Sequence, residues 1–139
     1  LETLSKEMIN GFLAKAEKKL QVAQKLLATG DYEDSVSRAY YAVFHATQAL
    51  LLTEGQRPDT HKGLITLFSL LFVKTGRFKK ELLKNLSNLK DERESGDYEI
   101  FSYIDKETAE SAIHEAKEFL AETRTYLKKI GLIDSMARL

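Results

Sequence analysis

Apolar residues along this chain return every three or four positions, in several long stretches. Ile9, Phe12, Ala16, Leu20, Ala23 and Leu27 advance by 3, 4, 4, 3 and 4 residues. That is the repeat of one helical face, whereas a half-buried strand alternates by two. Composition points the same way. Leu, Ala, Glu and Lys supply 63 of the 139 residues, while Val and Ile supply 11. Good helix formers therefore far outnumber the β-branched residues that a sheet prefers. One proline and seven glycines are too few for the turns of a β-sandwich. The length suits one domain, so residues 1–139 are expected to form a single helical unit.

Five helices are predicted. The first covers roughly Ser5–Ala28 and stops at Gly30, after which Asp31 can cap the next. The second covers roughly Tyr32–Glu54 and ends at Gly55. It carries one apolar stripe, Val36, Tyr40, Val43 and Leu50, and a second of small residues, Ala39, Ala42, Ala46 and Ala49. A helix apolar around most of its circumference belongs at the centre, with neighbours on several sides. Thr60 is a plausible N-cap for a third helix through about Thr75, closed by Gly76. A fourth starts near Phe78 with Leu82, Leu86 and Leu89, and a loop then holds Gly96, Asp97, Tyr98 and Phe101. Asp105 caps a fifth, whose stripe is Ala109, Ala112, Ala116, Leu120, Thr123, Leu127 and Ile130. Short connections make successive helices antiparallel. The expected fold is all-α, an up-and-down four-helix bundle with an additional short helix.

Several functions are excluded or disfavoured. Without cysteine there is no disulfide, thiolate nucleophile or zinc–sulfur site, as expected of a reducing, cytoplasmic setting. The longest apolar runs, such as Leu50–Leu52, are far too short to span a membrane. Residues 1–10 alternate charged and apolar side chains, unlike a signal peptide, and the lack of an initial methionine fits a trimmed start. No phosphate-binding glycine motif occurs. Three scattered histidines give no zinc spacing. The acidic group Asp91, Glu92, Glu94 and Asp97 sits where a helix C-terminus disfavours negative charge, and reads as solvated acid. No metal or cofactor is expected.

Net charge is zero but unevenly spread. Residues 57–90 carry eight basic and two acidic side chains, concentrated in Lys74, Arg77, Lys79, Lys80, Lys84 and Lys90. Such a block can meet phosphates or simply form a solvated face.

Arg93 continues the buried stripe of helix four, since Leu82, Leu86, Leu89 and Arg93 step by 4, 3 and 4. A guanidinium in that phase must be ion-paired or must line a cleft. It is either half of a pair closing the bundle end or an anion clamp, its planar fork being suited to phosphate. Asp97 can steady it, and Tyr98 can add an aromatic wall or a hydroxyl. On helix two, Arg38, Tyr41, His45 and Gln48 step by 3, 4 and 3 and share one face. His45 there is a general base, a nucleotide ligand or a core histidine bonded to a backbone carbonyl. His61 and Lys62 begin helix three, an end that attracts anions, and Gly63 permits close approach. Tyr41 and His45 are expected to face a cleft also approached by Arg93 or His61. His114 reads as a surface residue.

Three segments together resemble the HEPN domain family (higher eukaryotes and prokaryotes nucleotide-binding), in its small stand-alone prokaryotic branch. They are SRAYYAVFHATQALL (37–51), THKG (60–63) and LKDERESGDY (89–98). The resemblance covers about residues 10–130. It implies a helical bundle that usually dimerises. It also implies metal-independent endoribonuclease toxins, often partnered with a minimal nucleotidyltransferase as antitoxin. Active members carry an arginine, a polar residue and then a histidine four to six positions after the arginine. Arg93 matches the arginine, Glu94 holds the polar position, and Tyr98 stands where the histidine would. RNA cleavage by this route needs a base for the 2′-hydroxyl and a cation for the charged phosphorane. Arg93 can be the cation, but a tyrosine with a reference pKa of ~10 is a poor base at neutral pH.

The expected function is that of a HEPN-type protein in a toxin–antitoxin-like system, binding nucleotide or RNA phosphate and able in principle to cleave RNA. Arg93, Asp97 and Tyr98 would form its catalytic unit. Arg38, Tyr41, His45, His61 and Lys62 would bind nucleotide. A homodimer is expected, with a nucleotidyltransferase partner. The alternatives are a non-catalytic module that senses a nucleotide or docks that partner, and a silent structural dimer.

Overall fold

The structure is a computed structural model that describes residues 3–98, 100 and 103–133. Among them are five α-helices and no strand: α1 (Thr3–Ala28), α2 (Tyr32–Leu52), α3 (His61–Phe68), α4 (Lys80–Tyr98) and α5 (Lys106–Lys129). The all-α bundle expected from the repeat is the fold observed. α2 is central, packing against α1, α3, α4 and α5. Both of its stripes are buried, the alanines with no exposed surface at all. Small residues let α1 come close, and Ser35 Oγ donates across that contact to the Ala23 carbonyl at 2.8 Å.

Several boundaries follow the expected chemistry. Gly30 and Gly76 lie just past helical segments with φ at 81°, a conformation that costs glycine little. Thr60 caps α3 by accepting from Gly63 N at 2.9 Å, and Asp105 caps α5 by accepting from Thr108 N at 2.8 Å. Asp31 differs. It occupies the N-cap position of α2 without a side-chain cap, because its carboxylate accepts from the Thr29 hydroxyl instead. α2 ends at Leu52, two residues before Glu54.

The third helix departs from regular geometry. After Phe68 it widens into a π-helical turn over Ser69–Val73, with Lys74 N reaching back to Ser69 O at 2.9 Å. Phe68, the last residue of α3, and Phe72, within the π-helical turn, are both fully buried, with ring centroids 5.9 Å apart. They join Phe78, Phe119 and Tyr126 in an aromatic cluster.

α4 corrects the expected loop. It runs to Tyr98, so Gly96, Asp97 and Tyr98 are helical. Gly96 is no turn residue. A Cβ there would lie 3.4 Å from Ile104 Cγ1 and 3.6 Å from Glu33 Cβ, ordinary contact distances, so α4 passes close to α2 and the approach to α5 at this point without requiring a glycine. Phe101 lies outside the described residues. The stripes were incomplete as well: Leu13, Ile113 and Phe119 are buried, while Ile130 is exposed.

Candidate functional site

Placing Asp97 and Tyr98 on the last turn of α4 sets Asp97 four residues beyond Arg93, on its own face, and Tyr98 one residue further, within reach of the guanidinium. Arg93 Nε donates to Asp97 Oδ2 at 3.1 Å, and Nη2 to the Tyr98 hydroxyl at 3.4 Å. The guanidinium also lies over three tyrosine rings, at 5.1 Å from the Tyr41 centroid, 5.7 Å from Tyr98 and 5.8 Å from Tyr40. Its side chain is only 14% exposed. Partial burial pulls the guanidinium down, but Tyr41, Tyr98, Asp97 and Tyr40 outweigh it and hold Arg93 above its usual value. Of these partners Asp97 is the one carboxylate, and it forms the ion pair with Arg93.

Two of these tyrosines, Tyr40 and Tyr41, come from α2. Tyr40 and Phe44 are one turn apart and Tyr41 lies beside them, with centroids 5.2–6.0 Å from one another. The first residue of α3 completes the wall. His61 stacks on Phe44 at 4.4 Å and on Tyr40 at 5.6 Å, and meets Tyr41 edge-on at 6.0 Å. Its Nδ1 is 2.5 Å from the Tyr40 hydroxyl. Arg93 and His61 therefore flank the same two tyrosine rings. Burial lowers the His61 pKa, with Arg93 and Lys90 adding to that and Glu94 opposing it. Its place at a helix N-terminus works in the same direction. The imidazole is accordingly neutral at neutral pH. Burial, Tyr41 and Glu94 push the Tyr40 phenol well above its ordinary value against the pull of Arg93, so it stays protonated.

The helix-two face expected to act together is divided. Tyr41 belongs to the Arg93 cluster. His45 instead pairs through Nδ1 with Gln48 Oε1 at 2.7 Å, and burial with nearby Lys15 and Lys19 lowers its pKa against the Gln48 bond. A concavity lined by Phe12, Gln48, Gln56, Arg57, Pro58 and Asp59 includes none of the Arg93 cluster. His45 is thus neither the backbone-bonded core histidine nor a direct partner of Arg93, although its ring lies 6.2 Å from Tyr41. Arg38 is exposed, with no hydrogen bond among the described residues. Lys62 is exposed too, and shares a shallow depression between α3 and α4 with Ile65, Thr66, Ser87, Lys90 and Asp91. His114 is exposed as expected.

Tyr40 was missed. Its phase assigned it to the apolar core, and it is fully buried. The available signal was the hydroxyl itself, since a buried tyrosine usually needs a polar partner.

The sequence profile of the HEPN domain matches residues 9–126, which include every residue of this cluster. The chain belongs to the HEPN domain family. Two Methanocaldococcus jannaschii proteins are similar to it over most of their length. "Putative toxin MJ0142" is 34% identical, covering 91% of this chain and 86% of its own. "Putative toxin MJ0605" is 36% identical, covering 90% and 92%. A UPF0332 protein of Thermotoga maritima is 33% identical over 82% of this chain and 86% of its own. The crystal structure of TT1696 from Thermus thermophilus has the same fold, with a TM-score of 0.73 at 22% identity, covering 84% of this chain and 96% of that one.

Among the described residues of this HEPN chain, no helix is long and apolar enough to cross a membrane, and no three acidic or histidine side chains group to hold a metal ion. What the cluster offers is a fixed cation, a neutral imidazole and stacked aromatic faces.

Proposed function

We propose that this HEPN protein is the toxin-like member of a cytoplasmic two-component system, and that its Arg93 cluster takes a phosphodiester of RNA. The observation that carries this reading is the holding of Arg93. Asp97 and Tyr98 occupy one edge of the guanidinium, and its remaining N–H groups have no partner among the described residues. A fixed fork with spare donors is suited to phosphate oxygens.

The charge balance favours a strand over a free nucleotide. Arg93 is matched by Asp97, and Lys90 by Glu94 at 2.6 Å. Such a site suits a singly charged diester better than a triphosphate, whose several charges need several unpaired cations. The depression beside Lys62 and Lys90 shares Ile65, Thr66 and Ser87 with a second one bordered by Lys74. Together they make a trough between α3 and α4 edged by lysines, as backbone tracking of a single strand requires.

The rival reading is a non-catalytic module docking a nucleotidyltransferase. It draws on Tyr98, Ile100 and Tyr103, which are 71%, 92% and 83% exposed. Exposed apolar side chains of this kind are also where a second copy could sit, and both a homodimer and a nucleotidyltransferase partner remain part of the proposal.

Fluorescence anisotropy with a labelled single-stranded RNA of about twenty nucleotides, in chelator, tests the RNA reading. Arg93→Ala should weaken binding at least about tenfold, the loss of one charge-assisted contact. Equal affinity of mutant and wild type, with both folded, overturns it in favour of docking.

A further inference from the structure

We propose that His61 is the proton-transfer group of this site, supplied from α3 in place of the histidine that α4 lacks. The inference rests on the RNA-phosphate reading and adds strand cleavage to it.

No histidine lies between Arg93 and His114, so helix α4 supplies no imidazole within its own motif. The fold brings one from 32 positions earlier in the chain. Of the three histidines, His61 alone shares both Tyr40 and Tyr41 with the Arg93 guanidinium, whereas His45 approaches only Tyr41, at 6.2 Å. Both contact Tyr40 and Tyr41, His61 at 5.6 and 6.0 Å and Arg93 at 5.8 and 5.1 Å. His45 is bonded to Gln48, and His114 is exposed on α5.

His61 is also held as a base must be held. Phe44 fixes the plane of its ring from one side at 4.4 Å. The Tyr40 hydroxyl, 2.5 Å from Nδ1, fixes rotation within that plane. Nε2 makes no hydrogen bond among the described residues and is left for a ligand. With the proton on Nδ1, the ring donates to the Tyr40 oxygen and Nε2 carries a free lone pair. Burial and the neighbouring Arg93 and Lys90 favour the uncharged ring, and in that tautomer the Nε2 lone pair is available. Tyr40 is then a positioning residue, acting through His61.

The step is the transesterification that RNA alone permits. Nε2 takes the proton of a 2′-hydroxyl. The 2′-oxygen bonds to the adjacent phosphorus as the bond from phosphorus to the 5′-oxygen breaks. The departing 5′-oxygen takes a proton from water, and the imidazolium returns its own to solvent. The ends are a 2′,3′-cyclic phosphate and a 5′-hydroxyl. Arg93 neutralises the extra negative charge on the five-coordinate phosphorus.

The test incubates the full chain with purified tRNA, and with the labelled RNA and its all-2′-deoxy counterpart, in chelator. Wild type should cut at least one of the two RNAs, leaving cyclic phosphate ends, and should bind the deoxy strand without cutting it. His61→Asn and His61→Gln should bind within about threefold of wild type and cut at least about a hundredfold more slowly, the usual contribution of a general base. His114→Asn should cut at the wild-type rate. In nitrogen-15 spectra, the deoxy strand should shift the His61 ring signals, and Tyr40→Phe should change its tautomer.

Wild type that binds through Arg93 but leaves both RNAs whole overturns the role of His61 while the RNA reading stands. Undiminished cutting by a folded His61 variant overturns it equally. Binding that does not depend on Arg93 overturns the RNA reading itself.

Discussion

Arg77 and Arg93 are both partly covered arginines that lie over aromatic rings and bond to a carboxylate and a tyrosine hydroxyl, yet they do opposite work. Arg77, on the connection into α4, reaches Glu54 at 3.0 Å and the Tyr126 hydroxyl at 3.2 Å, with Phe72 beneath it at 5.3 Å. Those partners lie just past the end of α2, on α5 and in the π-helical turn. Arg77 therefore ties separate elements together. Arg93 takes its hydrogen bonds from its own helical turn. Those bonds hold the guanidinium in place without joining one element to another. Its contacts with α2 are to ring faces, which leave N–H edges open. The lesson is that the sequence distance of an arginine's partners separates a clasp from a candidate binding group better than its burial does.

The sharpest break of this comparison is a pair of alanine variants measured for both RNA affinity and melting temperature. Arg93→Ala should lose about ten- to a hundredfold in affinity, the value of a charge-assisted contact of about 1.5–3 kcal/mol. Its melting temperature should stay close to wild type. Arg77→Ala should do the reverse, keeping affinity and losing about 1 kcal/mol from an exposed pair and a cation–π contact. In a chain of this size that is a fall of about 3 °C. Were Arg93→Ala to melt low and still bind, both arginines would be clasps.

Glu92 sharpens the contrast, because it adjoins Arg93 in sequence but interacts with α5. Burial, Glu115 and Asp91 push its carboxyl up to about 7. Glu115 is also raised, chiefly by burial, with one carboxylate oxygen buried and unpartnered among the described residues. The folded state thus holds the Glu92 proton more tightly than the unfolded state does. The stabilisation is complete below the ordinary carboxylate value and is lost as pH rises through about 7. Glu92→Gln should raise the melting temperature above neutral pH, by about 2 °C after allowing for solvent screening of a half-buried group. At mildly acidic pH it should change little, and RNA affinity should be untouched. A flat difference across pH would remove Glu92 from the α4–α5 contact.

The smallest effect is expected of Tyr98→Phe. Its hydroxyl accepts at 3.4 Å, a long bond, while its ring still offers a face to Arg93. Affinity should fall by no more than about threefold, or under 1 kcal/mol. A loss as large as that of Arg93→Ala would make the hydroxyl, and not the ring, the part that matters.

Much of the architecture was legible because its causes are local. The three-and-four spacing of apolar residues names the buried face of each helix, and a capping side chain or a glycine needs only its immediate neighbours to act. Thr60, Asp105, Gly30 and Gly76 mark their helix ends in the sequence and in the structure alike. The unit of Arg93, Asp97 and Tyr98 was legible for the same reason, although the sequence suggested a turn where Gly96 in fact continues the helix. Asp31 shows where even local reasoning stops, since two nearby donors competed for one carboxylate and Thr29 took it.

Only the tertiary structure decided which side chains from different helices meet. Spacing fixes the angle of a residue around its own helix, but not the height or rotation at which a neighbouring helix passes. Tyr41 and His45 share a face by spacing, yet one sits against Arg93 while the other turns to Gln48 near the lysines of α1. Tyr40 lies in the core stripe by phase, and nothing in the order of residues says that its hydroxyl will reach His61. That meeting depends on how close α3 packs to α2, which is set by side-chain volumes across the whole core. A fixed cation, a held imidazole and their shared tyrosines became one site only when the packed bundle brought the helices together.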